Sequence, residues 1–293
     1  MELSGKTKIC GVIGDPIEHT LSPIIQNAAF KSLALDFVFV AFRVKRAELR
    51  NAISGMRSLG ILGLNVTMPH KSAVMKYLDK IDPTAAFIGA VNTIHNDDGK
   101  LIGFNTDGIG ALKTLEENGV NLSGKKLLLF GAGGAARAIA FYAAKEAEEL
   151  VILNRTAEKA RRLAESLQKK FCKRIVGNSL SKGFIRQNLQ DSDVLINATS
   201  VGMYPNTSQN LVSSEWLKPD LCVMDIVYNP VETRLVKNAK AVGARVIGGI
   251  EMLIHQGAES FEVWTGRSAP LKVMKEALLD KLSGGETSLD GKG

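Results

Sequence analysis

The sequence predicts an α/β protein of two domains, the second of Rossmann type, and three observations carry that prediction. Apolar runs of strand length alternate with amphipathic helical stretches over the first hundred residues and again beyond residue 126, the pattern of mostly parallel sheets covered by helices. Residues 126–137, KLLLFGAGGAAR, join a continuous apolar run to Gly131, Gly133 and Gly134. This reads as a strand buried on both faces, a tight turn and a helix start, the arrangement that cradles a dinucleotide pyrophosphate. A chain of 293 residues is long enough for two separate cores.

In chain order, residues 8–14 form a strand that breaks at Asp15-Pro16. Ser22 is expected to cap the next helix with Pro23 at its first position. A helix over 24–33, a strand over 37–42 and a helix over 46–59 follow. Strand 62–66 delivers Asn65-Val66-Thr67-Met68-Pro69-His70-Lys71 into a loop and helix start. Strands over 90–95 and 101–104 flank the hairpin signal Asp98-Gly99, and the second runs into Asn105-Thr106-Asp107-Gly108 before a connecting helix over 108–118. Beyond the glycine turn come a strand over 150–153, a helix over 156–169, a polar stretch to 190, and strands over 194–196, 221–226 and 245–247. Helices over 250–264 and 270–282 have no destination fixed by pattern alone. The apolar-poor tail over 283–293, SGGETSLDGKG, is expected to be disordered.

Composition narrows the function classes. A 45% hydrophobic, 23% charged chain is ordinary for a soluble protein. The net charge of +7 comes from scattered Lys and Arg, which suits anionic small ligands and gives no nucleic-acid face. Cys10, Cys172 and Cys222 fit neither a disulfide framework nor a metal site. His19, His70, His95 and His255 make no ligand pair, read as loop or surface residues, and imply no metal. MELSGKTK lacks a signal-peptide core and no apolar run has spanning length, so a cytoplasmic protein without membrane attachment is expected, as monomer or homodimer.

Open α/β sheets bind ligands beyond the carboxyl ends of their strands. Four polar clusters, Thr20/Ser22, Asn65/Thr67/Lys71, Asn92/Thr93 and Asn105/Asp107, are read at such ends. Singly each has a plain structural use as a cap, strand or turn residue. Together they offer hydroxyls, amides, one amine and one carboxylate, a set that suits a small polyhydroxylated ligand. In the second half, Gly131 permits the turn, Gly133 the close approach and Ala136 the third small position, with Ala132, Gly134 and Ala135 completing the cradle. The strand after it ends in Asn154-Arg155-Thr156, where an NAD site usually has an acid for the ribose 2′-hydroxyl. Guanidinium and hydroxyl suit a 2′-phosphate, so NADP is the expected cofactor. Thr199, Met203 and Gly249 follow later strands and Ile226 ends one, where the nicotinamide is expected.

With these residues in view, the chain resembles the shikimate dehydrogenase family over residues 8–282. The resemblance rests on TLSPIIQN at 20–27, NVTMPHK at 65–71, GAVNTI at 89–94, GFNTDG at 103–108, GAGGAAR at 131–137, NRT at 154–156, NATSVGM at 197–203, YNP at 228–230 and G-x-x-M-L-x-x-Q at 249–256. It implies a substrate domain over 1–108 and 251–283, an NADP domain over 109–250, a cleft between them, and a tail over 284–293. It also implies reversible NADPH-dependent reduction of 3-dehydroshikimate to shikimate on the way to aromatic amino acids. On the matching positions, Lys71 and Asp107 are the implied catalytic pair. Thr20, Ser22, Thr67, Asn92, Tyr228 and Gln256 are the implied holders of the substrate's carboxylate and hydroxyls. Thr20 departs from the family's usual serine, which leaves quinate as an alternative or additional substrate. A non-catalytic NADP-binding sensor of a metabolite is the rival from another class, and the presence of both Lys71 and Asp107 argues against it.

Overall fold

The computed structural model describes residues 3–286. They form two compact units, one from the residues up to Thr106 together with those from Ile254 onward, the other from Asp107–Leu253.

In the first unit β1 (Lys8–Gly14) leads to α1 (Ser22–Ser32), β2 (Phe37–Arg43), α2 (Leu49–Ser58) and β3 (Gly63–Val66). Then come β4 (Lys80–Ile81), α3 (Pro83–Ile88), and the hairpin of β5 (Thr93–Asp97) and β6 (Lys100–Phe104). The sheet order is β2-β1-β3-β5-β6-β4. β1 pairs parallel with β2 and β3, and β4 with β6, while β5 runs antiparallel to both β3 and β6. One face is covered by a core of Ile13, Leu64, Val66, Ile94 and Leu101 packed on Ile53 and Met56 of α2. Leu64, Ile94, Leu101, Ile53 and Met56 are essentially without exposed surface, and each such side chain contributes about 1.5–3 kcal/mol of burial.

The second unit opens with α4 (Asp107–Glu117), β7 (Lys126–Phe130), α5 (Gly134–Glu146), β8 (Glu149–Asn154), α6 (Ala157–Phe171) and β9 (Arg174–Ser179). It continues with α7 (Lys182–Asp191), β10 (Val194–Asn197), β11 (Cys222–Asp225), α8 (Arg234–Ala241) and β12 (Arg245–Ile247). Its sheet, β12-β11-β10-β7-β8-β9, is parallel throughout. Chain order reverses at β7, whose neighbours are β10 and β8, so the strand before the glycine turn is the topological switch point. Leu127, Leu128, Leu129 and Phe130 are all fully buried, as a central strand covered on both faces requires.

The last helices, α9 (Gly249–Thr265) and α10 (Leu271–Glu286), resolve the ambiguous destination: from Ile254 onward they belong to the first unit. Phe261 stacks on Phe30 of α1 with centroids 5.4 Å apart, and Trp264 Nε1 donates to Ile94 O at 3.0 Å. α10 continues through Glu286, beyond the helix end expected at residue 282, and the rest of the expected tail lies outside the described residues.

Several local expectations are corrected. Ser22 is the first helical residue rather than the cap, which is Leu21; the Ser22 N–H instead donates to Thr20 Oγ1 at 3.4 Å. The expected helix over 46–59 starts as a 3-10 turn, Arg46–Glu48, before α2. Lys71 precedes only a 3-10 turn, Ala73–Tyr77. The polar stretch before residue 190 contains β9 and α7. His70 lies in a loop but is buried, with Nε2 2.6 Å from Val44 O, and His255 is buried on α9 and is neither a loop nor a surface residue.

Candidate active site

The polar clusters of the first unit gather on one edge of its sheet, by a route that differs from the one expected. Thr20 follows β1, Thr67 follows β3, and Asn105 follows β6, all at carboxyl ends. Asn92 instead precedes β5. Because β5 is antiparallel to β3, its beginning lies beside the end of β3: Val66 N donates to Asn92 O at 2.8 Å and Asn92 N to Phe104 O at 3.0 Å. The loop after β3 is held by Thr67 N on Ile13 O at 2.9 Å and by Val91 N on Lys71 O at 2.7 Å, which pins the Lys71 backbone between two strand ends.

Asn92 is 2% exposed and its amide orientation is forced. Thr106 N–H can only donate, and it lies 2.7 Å from Asn92 Oδ1. Asn92 Nδ2 therefore faces Thr106 Oγ1 at 2.9 Å and Gln256 Oε1 at 3.4 Å. Behind them Asn65 Nδ2 donates to Ser260 Oγ at 2.9 Å, and Ser260 Oγ donates to Gln256 O at 3.0 Å. Thr106 Oγ1 also reaches Gln256 O at 3.0 Å. The structure thus brings Asn92 and Gln256, remote in sequence, onto one polar wall. Thr106 and Ser260 were missed as its supports. The available signals were that Thr106 stands between Asn105 and Asp107, and that Ser260 lies one helical turn beyond Gln256.

Thr20 and Ser22 are adjacent, with Thr20 Oγ1 3.3 Å from Ser22 Oγ. Lys71 is half-buried. Asp107, 4% exposed, opens α4 in the second unit, where a carboxylate favours the positive end of the helix dipole.

In the second unit every expected cofactor residue ends or follows a parallel strand at its carboxyl end, along the edge of the sheet that runs from β8 through β7, β10 and β11 to β12. Gly131 has φ +113°, a left-handed backbone, and a Cβ there would stand 2.7 Å from Ala198 O. Both facts require glycine. Gly131 N–H donates to Leu153 O at 2.8 Å and Ala198 N–H to Phe130 O at 2.9 Å, so the turn is anchored to both neighbouring strands. Gly133 precedes α5 without a capping side chain, and the space where its Cβ would stand is open. A helix start left uncapped beside open space fits an anionic phosphate. At the end of β8, Asn154 Nδ2 donates to Thr156 O at 2.9 Å, and Arg155 and Thr156 are exposed. No carboxylate stands at 154–156, so the residues present fit a 2′-phosphate better than a ribose diol. Gly249 packs so closely that a Cβ would lie 2.6 Å from Ile226 O and from Val227 O, which joins two expected cofactor positions. Tyr228 is half-buried, and burial pushes its phenol above the usual range.

Beneath this edge lies a group the sequence reading passed over. Asp225 has no exposed surface, and burial pushes its carboxyl up to about 6. It accepts from Thr233 Oγ1 at 2.6 Å, Asn197 Nδ2 at 3.0 Å and Val227 N at 3.1 Å. Asn197 in turn accepts from Thr199 Oγ1 at 2.7 Å and Thr199 N at 3.2 Å. Among the described residues no group of acidic, cysteine and histidine side chains could hold a metal, and no helix is long and apolar enough to cross a membrane.

A doubly wound parallel sheet with a glycine turn at its switch point, in one chain with a second α/β unit bearing a hydroxyl, amide and amine edge, defines a two-domain oxidoreductase of the nucleotide-dependent class. The family comparisons agree. Residues 12–94 match the shikimate dehydrogenase substrate binding domain, 113–240 the shikimate / quinate 5-dehydrogenase family, and 249–279 the shikimate 5'-dehydrogenase C-terminal domain. A shikimate dehydrogenase (NADP(+)) of Methanocaldococcus jannaschii is 49% identical over 96% of this chain and 99% of its own. A crystal structure of a shikimate dehydrogenase in complex with NADP+ superposes with a TM-score of 0.89 at 48% identity, covering 96% of this chain and 97% of that one. The shikimate 5-dehydrogenase of Thermus thermophilus, in complex with NADP(H) and shikimate, gives 0.83 at 35% identity, covering 93% and 99%. The chain belongs to the shikimate dehydrogenase family.

Proposed function

We propose that this chain is an NADP-dependent shikimate dehydrogenase, reducing 3-dehydroshikimate to shikimate reversibly in the cytoplasm. The observation that carries the reading is the polar edge of the first sheet, where four strand ends supply two hydroxyl-bearing turns, the Asn92–Gln256 wall and the Lys71 loop. The second unit would hold NADPH, which when bound would supply the hydride. The uncapped start of α5 receives the pyrophosphate, and Arg155 with Thr156 receives the 2′-phosphate.

Thr20 and Ser22 hold the carboxylate through their hydroxyls, and Asn92, Thr67, Tyr228 and Gln256 hold the ring hydroxyls. Lys71 gives a proton to the ketone oxygen as negative charge develops there, and Asp107 anchors the ammonium and a substrate hydroxyl. An ammonium compensating an alkoxide strengthens its contact as the reaction advances, so its contribution falls on turnover more than on binding. Residues 1–108 and 251–283 serve as substrate domain and 109–250 as NADP domain.

The test follows reduced-nicotinamide absorbance when purified protein receives shikimate or quinate with NADP or NAD in turn. Shikimate with NADP is expected to be the best pair. Lys71→Ala and Lys71→Met are each expected to lose about 10²–10⁴-fold in kcat, with cofactor affinity by direct titration near that of the parent. Turnover within a few-fold of the parent removes Lys71 from the proton transfer.

A further inference from the structure

Asp225 is a fully buried carboxylate that takes no part in the proposed chemistry, yet it directs its hydrogen bonds to the two loops that leave β10 and β11. Its Oδ1 receives Asn197 Nδ2 and the Val227 N–H, while Oδ2 receives the Thr233 hydroxyl. Asn197, 2% exposed, is oriented by that contact: with its Nδ2 on Asp225, its Oδ1 must face Thr199, where it receives both the N–H and the hydroxyl. The Thr199 hydroxyl then accepts the Val201 N–H at 3.1 Å, and Asn197 O accepts the Ile226 N–H at 3.1 Å. One carboxylate thus fixes the turn carrying Thr199 and Met203 and the turn carrying Ile226 and Tyr228. Burying an ionisable group is costly unless several donors meet it, and here three do: Asn197 on the neighbouring strand, Val227 two residues on and Thr233 at the start of α8.

We infer that Asp225 and Asn197 are a positioning pair for the nicotinamide end of the cofactor: their side chains set the loops after β10 and β11 and send no hydrogen bond to the phosphate cradle at Gly131–Gly134 or to Arg155, the cradle being held to β10 by the Ala198 backbone instead. The inference rests on the NADP reading above. Its distinguishing feature is locality. The side-chain hydrogen bonds of the pair run to Thr199, Val201, Val227 and Thr233, away from the glycine turn and Arg155, so its loss weakens the grip on only half of the cofactor. A residue that merely holds the fold together weakens both halves alike.

The test compares binding of whole NADP with that of adenosine 2′,5′-bisphosphate, which keeps the 2′-phosphate and adenosine and lacks the nicotinamide half. Both are titrated calorimetrically against the parent, Asp225→Ala, Asn197→Ala and Asp225→Asn. Asp225→Ala and Asn197→Ala are expected to weaken NADP about tenfold, on the order of one net hydrogen bond's contribution passed on through the loosened loops, with the bisphosphate held within about twofold. Asp225→Asn keeps an oxygen for Asn197 and Val227 and is expected to bind NADP nearly as the parent does. If Asp225→Ala does not fold, Asn197→Ala carries the test, since Asp225 then keeps two of its three donors. Equal weakening of both ligands, or no weakening of NADP, overturns the proposal alone. A parent that fails to bind NADP overturns the functional reading and the proposal with it.

Discussion

Replacing Asp225 by asparagine should remove a specific pH dependence of stability. Burial raises its carboxyl from 3.8 to about 6, against the opposing pull of Thr233, Val227 and Asn197. In the unfolded chain the same group titrates near 3.9, roughly its unperturbed value. Between about pH 4 and pH 6 the folded protein therefore keeps a proton that the unfolded chain has released. Stability falls as pH rises through that window and changes no further above it through this group. A rise of about two units corresponds to on the order of 3 kcal/mol, drawn from a residue with no exposed surface to screen it.

Glu18, Asp79, Asp193 and Glu232 are shifted the other way, by hydrogen bonds and neighbouring cations, and impose the opposite slope. They are present in both proteins and cancel in the difference. Urea denaturation of the parent and Asp225→Asn from pH 4 to 7, with amide exchange of Cys222–Asp225 to localise the effect, should show near-parity at pH 4. The variant's advantage should grow by that order towards pH 7. Parallel stability curves would refute the account.

Two further outcomes follow from the site. Arg155→Ala should collapse the preference for NADP over NAD by on the order of 1.5–3 kcal/mol, the contribution of a charge-assisted phosphate contact; steady-state kinetics with both cofactors checks it, and equal use of both by the parent refutes it. Thr20→Ser removes a methyl beside Ser22 while keeping the hydroxyl, and should raise the ratio of shikimate to quinate turnover. An unchanged ratio assigns the methyl no part in selecting the substrate.

The sequence made the second sheet legible because buried parallel strands write themselves as unbroken apolar runs, as residues 127–130 and 150–153 do. The glycine turn was legible because its backbone demands glycine at Gly131 whatever surrounds it. β9 escaped notice because only Ile175 of RIVGNS is fully buried, so an edge strand lacks the apolar signature. α7 is amphipathic over only ten residues and buries just Ile185 and Leu189. Ser22 was misplaced because a serine before proline has the chemistry of a cap in either register, and only the backbone of Leu21 decides it. Asp225 was invisible for another reason. A lone aspartate after VM carries no sign that Asn197 converges on it together with the nearby Val227 and Thr233, since the approach of Asn197 is settled by strand order.

The antiparallel hairpin of β5 and β6 has a consequence for how errors propagate. Thr93 pairs with Phe104, so Asn92 and Asn105 leave the ladder side by side, while the Asp97–Lys100 turn closes it at the opposite edge. Two of the four polar clusters are thus one mechanical piece, separated by a ladder of ten residues rather than by a crossover helix. A register slip of one residue would turn both clusters away together, because the side-chain alternation of a strand has period two. Half of that polar edge is consequently set by a single pairing event, and a chain that forms the hairpin correctly has already aligned Asn92 with the residues leading to Asp107.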